Sequence, residues 1–265
     1  RELRERYDAA LTHERSLVGF LTQTPQNTDW FWSTKSLQID SKRELQESLS
    51  YILNCIYSKA PRINNEIINR SRLSGAGTGA RRKLLSAMLQ NADAHNLGIE
   101  KSPPEKSIYL SLLYSTGIHK ELADGHWGFT APEEAPDRFH EVWREIDSLL
   151  NDGEEPITID FLQKRLSHAP FGISYGVVPV IMLSYLLSRQ NEIALSEDNH
   201  FSPFLNFEII ERILKKPQNF ALQKIGQDGS HPIIFSIYRD IFDLSLSDEE
   251  DFPDENRLVT SAKMF

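Results

Sequence analysis

Along the opening RELRERYDAALTHERSLVGF, apolar side chains return every three or four positions. Leu3, Tyr7, Ala10, Leu11 and Leu17 make one stripe among charges, which predicts an amphipathic helix over residues 1–22. A loop at 24–40 carries Trp30, Phe31 and Trp32. Ser41-Lys42-Arg43-Glu44 then reads as a capping box, and Leu45, Leu49, Ile52 and Ile56 follow at core spacing up to Pro61. Cys55 sits among these apolar residues and is expected to be a small buried side chain. Ile63, Ile67 and Ile68 suggest a further helix; Leu84, Leu85, Met88 and Leu89 mark another. Ser102-Pro103-Pro104-Glu105 is a helix start, with Ser102 as cap, Pro in the first turn and Glu at the third position; Ile108 and Leu112 point inward and Gly117 is the stop. A loop over 118–134 holds His119, His126 and Trp127, and the next helix carries Phe139, Trp143, Ile146 and Leu150.

After Gly153 the pattern changes. ITIDFLQKRLSHAP is a short helix, FGIS a turn, and YGVVPVIMLSYLLSRQ an apolar helix with Pro179 in its first turn. NEIALSEDNHFSPF alternates as strand, acidic turn, strand. Residues 206–216 form a helix, FALQKIG a strand, and 232–244 an amphipathic segment. Helix, turn, helix and hairpin in this order predict a winged-helix-like unit. The expected fold is mainly α: a helical domain over 1–153, a small winged-helix-like subdomain with a β-hairpin over 154–246, and an acidic linker with the start of a following element over 247–265.

Charge narrows the function. With 29 basic and 38 acidic residues the net charge is −9, which repels phosphate at long range. Yet Lys59, Arg62, Arg70, Arg72, Arg81, Arg82 and Lys83 face a single acid, Glu66, between positions 59 and 83. Inside that arc LSGAGTGARRKLL has the texture of a phosphate loop. It lacks a Ser or Thr after the lysine, the dinucleotide spacing, and a preceding strand. It reads as a flexible connection between two helices or a weakened turn within one helix, and no cofactor is expected in this segment. Asn64, Asn65 and Asn69 beside Arg62 and Arg70 suggest a polar contact surface, or caps of adjacent helix ends. The interaction candidates are therefore Arg62, Asn64, Asn65, Asn69, Arg70, Arg72, Arg81, Arg82 and Lys83.

Other chemistry is thin. His119 and His126 share a loop with Asp124 but have no second pair at metal spacing, so no metal is expected. No nucleophile elbow or paired carboxylates stand out, so no catalytic residue is assigned. The helix from Val177 to Leu187 offers no Arg, Lys, Asn or Gln to base edges, and Glu197 and Asp198 place the wrong sign at the hairpin tip. One cysteine and the lack of a signal peptide fit a reducing, cytoplasmic setting, and no apolar run spans a membrane. The chain opens without Met inside a charged helix and closes on RLVTSAKMF, which reads as another element beginning; the expectation is a region of a longer protein.

Four blocks carry a family resemblance: YSKAPRINNEIINRSRLSGAGTGARRKLLSAML, LGIEKSPPEKSIYLSLL, PFGISYGVVPVIMLSYLL and EIALSEDNHFSPFL. Their order and wording, over roughly residues 50–220, resemble a region of very large bacterial ATP-binding proteins of anti-phage defence, the BREX-type ATPases or a sister family. The resemblance implies a non-catalytic region that couples a P-loop engine elsewhere in the chain to a partner protein or DNA. Its partners would be the rest of its own chain and other defence proteins. The alternative is a DNA-binding module acting through the 59–83 arc.

Overall fold

The computed structural model describes residues 2–23, 28–123, 125–152, 155–189, 192–202 and 205–225. The chain divides into two compact units between Ser58 and Lys59. The boundary expected at 153/154 falls within the second unit, where one apolar cluster includes residues from Ile68 to Leu222. The segments expected at 232–244 and 247–265 lie outside the described residues.

The first unit comprises α1 (Glu2–Gln23), strands β1 (Trp30–Trp32) and β2 (Lys35–Leu37), and α2 (Lys42–Ile56). Its strands form a hairpin where a loop is expected. The capping box forms: Ser41 Oγ accepts from the Glu44 N–H at 3.2 Å, and Glu44 Oε2 accepts from the Asp40 N–H at 2.7 Å. Among the described hydrophobic residues of this unit, Ile39 and Leu45 are buried. Leu3, Tyr7 and Leu17 lie exposed along α1, as do Leu49 and Leu53 on α2. Cys55 is exposed, not buried as expected: Leu45 is the one buried residue of α2, and Cys55 lies on the flank of that face.

The second unit is built around α7 (Val178–Ser188). Val178 and every residue from Val180 to Leu186 are buried, as expected of a helix apolar on all sides. α3 (Gly75–Gln90) and α6 (Ile159–Ser167) pack on it, α5 (Phe139–Asp152) meets it through Asp147 and Tyr185, and α4 (Pro104–Tyr109) and α8 (Phe207–Lys215) pack on α3. Strands β5 (Ile157–Thr158), β6 (Ile193–Glu197), β7 (His200–Phe201) and β8 (Phe220–Lys224) form one antiparallel sheet in the order β5-β8-β6-β7. β8 is therefore an inner strand, with Leu222 opposite both Ile157 and Leu195. A separate hairpin joins β3 (His119–Glu121) to β4 (Trp127–Phe129). Eight α-helices and three small antiparallel sheets among the described residues make the fold mixed α/β rather than mainly α. Several strands run for only two or three residues, too short for a period of two to register in the sequence.

Of the two readings of the glycines, a connection between helices is not what forms; they lie within the opening turns of one helix: α3 starts at Gly75, with Ser74 as its cap accepting from the Gly77 N–H at 3.1 Å. Ile63 to Ile68, expected as a helix, are irregular up to Asn65 and form a turn over 66–68. Asn65 Oδ1 captures the Ile67 N–H at 3.0 Å and Asn69 Nδ2 donates to the Ile63 carbonyl at 3.2 Å, which diverts the backbone from helical pairing. Gly77 meets this segment closely: a Cβ there would lie 2.9 Å from the Ile67 carbonyl oxygen. Ser74→Ala should cost about 1 kcal/mol, seen as a fall of about 2–4 °C in thermal denaturation. An unchanged melting point would mean that solvent replaces the cap.

Candidate interaction surfaces

The structure brings Arg81, Arg82 and Lys83 onto the early turns of α3, while Arg62, Arg70 and Arg72 lie on the segment leading into it. Much of this charge meets the chain's own groups. Arg82 Nε lies 3.1 Å from Glu211 on α8, and its guanidinium stands 5.3 Å over the Phe207 ring. Lys83 faces Glu105 at 3.7 Å, Lys59 faces Glu141 at 3.6 Å, and Arg70 faces Glu66 at 3.5 Å. Arg81 is half-buried and reaches the carbonyls of Tyr175 and Gly176 at 3.5 and 3.4 Å. Burial lowers its pKa, while Glu211 pulls the other way. Arg62 and Arg72 are exposed and form no ion pair among the described residues.

The asparagines divide. Asn64 is exposed. Asn69 serves the local turn. Asn65 is buried and donates to Ser111 Oγ at 2.9 Å and Ser107 Oγ at 3.4 Å. Asn65 is thus an internal brace, and the interaction candidates left exposed without an ion pair or brace among the described residues are Arg62, Asn64 and Arg72, beside the Arg70–Glu66 pair.

Ser111 belongs to a π-helical turn, Leu110–Tyr114, that continues α4; the Ser115 N–H donates to the Leu110 carbonyl at 3.1 Å. Such turns reorient side chains and recur at functional sites. Leu112 and Leu113 point inward, and Tyr114 outward. Tyr114 stacks on Trp127 with ring centroids 6.2 Å apart and planes 20° apart; His95 lies 4.7 Å from Trp127 on the other approach. Beneath them is His119, fully buried. Its Nε2–H donates to the Ala92 carbonyl at 2.8 Å, since a carbonyl only accepts. Its Nδ1 therefore accepts from the Tyr109 hydroxyl at 2.9 Å. Burial holds the His119 ring neutral, lowering its pKa; the Ala92 hydrogen bond opposes this and nearby His95 reinforces it. Burial pushes Tyr109 up to about 12, helped by Tyr114 and opposed by a backbone hydrogen bond from Asn96. Asn96 and Leu97 both have φ in the left-handed region, 55° and 53°, unusual for consecutive non-glycine residues. The sequence signal for this cluster was the grouping of His119, His126 and Trp127 in one loop. Among the described residues, no three His, Cys, Asp or Glu side chains gather to hold a metal.

A third polar group is structural. Tyr185 donates to Asp147 Oδ1 at 2.7 Å and Arg189 Nη2 reaches Asp147 Oδ2 at 3.2 Å, clasping the end of α7 to α5. Asp147 and burial both raise the pKa of Tyr185, burial more strongly. No helix among the described residues is long and apolar enough to cross a membrane. No family model, curated protein or solved structure matches this chain.

Proposed function

We propose that the chain is a non-catalytic coupling region of a larger ATP-binding defence protein, working through protein contacts. The defence assignment rests on the sequence resemblance. The coupling role is supported chiefly by one observation: the basic arc is largely matched to the chain's own carboxylates, through Arg82–Glu211, Lys83–Glu105 and Lys59–Glu141. A surface built for DNA backbone would leave those charges without carboxylate partners.

The order of elements in the second unit supports reading it as winged-helix-like. α5, β5, α6, α7 and β6 occur in sequence, and β8 returns between β5 and β6. On this reading β7 and α8 are an insertion in the wing. The helix in the recognition position is α7, whose apolar faces are buried and leave no polar surface for base edges. Glu197 at the hairpin tip is held by Arg212 at 2.8 Å. The unit therefore serves as packing scaffold, and Arg62, Asn64 and Arg72 face the partner protein.

The test is a double substitution, Arg62→Glu with Arg72→Glu. Both sites are exposed, so folding should change by no more than about 0.5 kcal/mol. Co-purification of the parent protein's partner should fall about fivefold or more, and the unaltered chain should not bind a short DNA duplex at low salt. DNA binding that weakens steeply with salt and disappears in the variant would overturn the protein-contact reading in favour of a DNA module. Unchanged partner retention would remove these arginines from the contact. Charge reversal at Arg81 is unsuitable, because Arg81 holds the 175–176 backbone.

A further inference from the structure

A coupling region needs two working surfaces, and the β3–β4 hairpin supplies a second. In an antiparallel pair, directly opposed residues project from the same face, and the face alternates along each strand. The register sets His119 opposite Phe129, Lys120 opposite Gly128, and Glu121 opposite Trp127. His119, Glu121, Trp127 and Phe129 therefore share one face, and the ring contacts agree: His119 lies 4.7 Å from Phe129 and 5.4 Å from Trp127. Lys120 leaves by the other face, where Glu133 holds it at 2.9 Å. The hairpin's own cation thus cannot neutralise Glu121, which is exposed and forms no ion pair among the described residues.

Opposite that carboxylate stands Trp127, half-buried and in contact with two further rings, Tyr114 and His95. Tyr114 is 49% exposed and His95 is exposed. Aromatic faces carry negative potential and attract ammonium and guanidinium groups. The buried His119 below is neutral and adds no opposing charge. The rings are already in place: Ser111 of the π-helical turn is braced by Asn65, Trp127 is packed on His119, and His119 is tied at both nitrogens. A ligand would meet an ordered surface. The chain's net charge of −9 draws positive partners toward it at long range.

We propose that Tyr114, Trp127, His95 and Glu121 form a docking site for a lysine or arginine side chain on a basic segment of a partner protein. The site names the partner's chemistry, and so rests on the reading of the chain as a protein-contact region. The two fail separately: a peptide titration reports on Trp127 alone, whereas retention of the parent's partner reports on the Arg62–Arg72 surface.

The experiment follows the Trp127 indole N–H by NMR in the 15N-labelled chain, assigned with Trp127→Phe. The probes are acetylated tetra-lysine and tetra-arginine amides, with oligo(dT) for comparison. The basic peptides should shift the Trp127 resonance saturably. Glu121→Gln and Tyr114→Ala should each weaken that binding about two- to fivefold, the range for an exposed cation–π or charge contact. Glu121→Gln is isosteric and exposed, so it keeps the test meaningful if Tyr114→Ala disturbs the hairpin. Glu47→Gln removes one negative charge from α2 and should leave affinity unchanged. The proposal is overturned if millimolar peptide leaves Trp127 unmoved, or if Glu47→Gln weakens binding as much as Glu121→Gln. It is also overturned if oligo(dT), but not the peptides, shifts Trp127, since that would make the rings a stacking platform for single strands.

Discussion

Gly176→Ala is expected to destabilise the second unit by about 3 kcal/mol, a large effect for one methyl group. A Cβ at this position would stand 2.2 Å from the Ile68 carbonyl oxygen, 2.8 Å from the Arg70 carbonyl oxygen and 2.8 Å from Leu73 Cδ2. Two of these three neighbours are backbone, so no rotamer change relieves the clash. The backbone on both sides is also tethered. The Gly176 N–H donates to the Arg70 carbonyl at 3.0 Å, and Arg81 holds the carbonyls of Tyr175 and Gly176 from α3. Separating the strands of chain to admit the methyl would stretch those bonds together. Thermal denaturation should register a loss of about 6–12 °C, at 2–4 °C per kcal/mol for a domain of this size. Gly75→Ala is the matched control: a Cβ there meets nothing within 4 Å, and its melting point should hold or rise slightly. If both alanine variants melt together, the close approach at Gly176 does not exist.

His119→Ala should cost about 4 kcal/mol, through the space left by a buried ring and two lost hydrogen bonds. The Tyr109 hydroxyl loses its acceptor and the Ala92 carbonyl its donor. Tyr109→Phe should cost less, about 1–2 kcal/mol, since it strands only the His119 Nδ1. Because the two side chains touch, the double variant should be less damaged than the sum of the single ones. pH offers an independent reading. In the unfolded chain this histidine protonates near pH 6.5, whereas burial keeps the folded ring neutral to lower pH. Between those values the unfolded state holds the extra proton. This contribution to stability is complete above about pH 6.5, declines as pH falls, and levels off below the folded pKa. Melting curves from pH 8 to pH 5 should show that decline in the wild type and a smaller one in His119→Ala. Parallel curves would mean that His119 takes up its proton as readily in the folded protein as in the unfolded chain.

Elements with long apolar patterns or strong caps were legible in the sequence. The apolar run around Pro179 is the buried helix α7, Ser41 caps α2, and Asn206 opens α8 by accepting from the Ile209 N–H at 3.0 Å. The turn between Glu197 and His200 and the strand at Phe220–Lys224 also fall where the pattern puts them. Misreadings have local causes. Ile63, Ile67 and Ile68 have helical spacing, but the amides of Asn65 and Asn69 bond the backbone first. Glycine at three positions argued against helix, yet a cap at Ser74 and a close neighbour at Gly77 set the start of α3 there. Ser102 was expected to cap α4, but Pro103 occupies that position without a side-chain bond.

The candidate site was only half legible. Seven basic residues in a row of 25 positions stand out in an acidic chain, but their partners Glu105, Glu141 and Glu211 come from distant segments. No local pattern reveals such pairing. The aromatic face was hidden for the same reason. Tyr114 arrives from a π-helical turn, His95 from a 3₁₀ turn and Trp127 from a strand, so their proximity depends on the finished fold.

The inner position of β8 also shapes how the protein can be made. A nascent chain emerges from its amino end, and β5 and β6 leave the ribosome before the strand that lies between them. Until Phe220–Lys224 is synthesised, Ile157 and Leu195 each lack the Leu222 pairing that joins their strands. The helices can form from nearby residues as they appear, but the sheet has to wait. Translation that stalls ahead of Phe220 would therefore release a chain with two open strand edges, the kind of product that quality-control proteases and chaperones recognise.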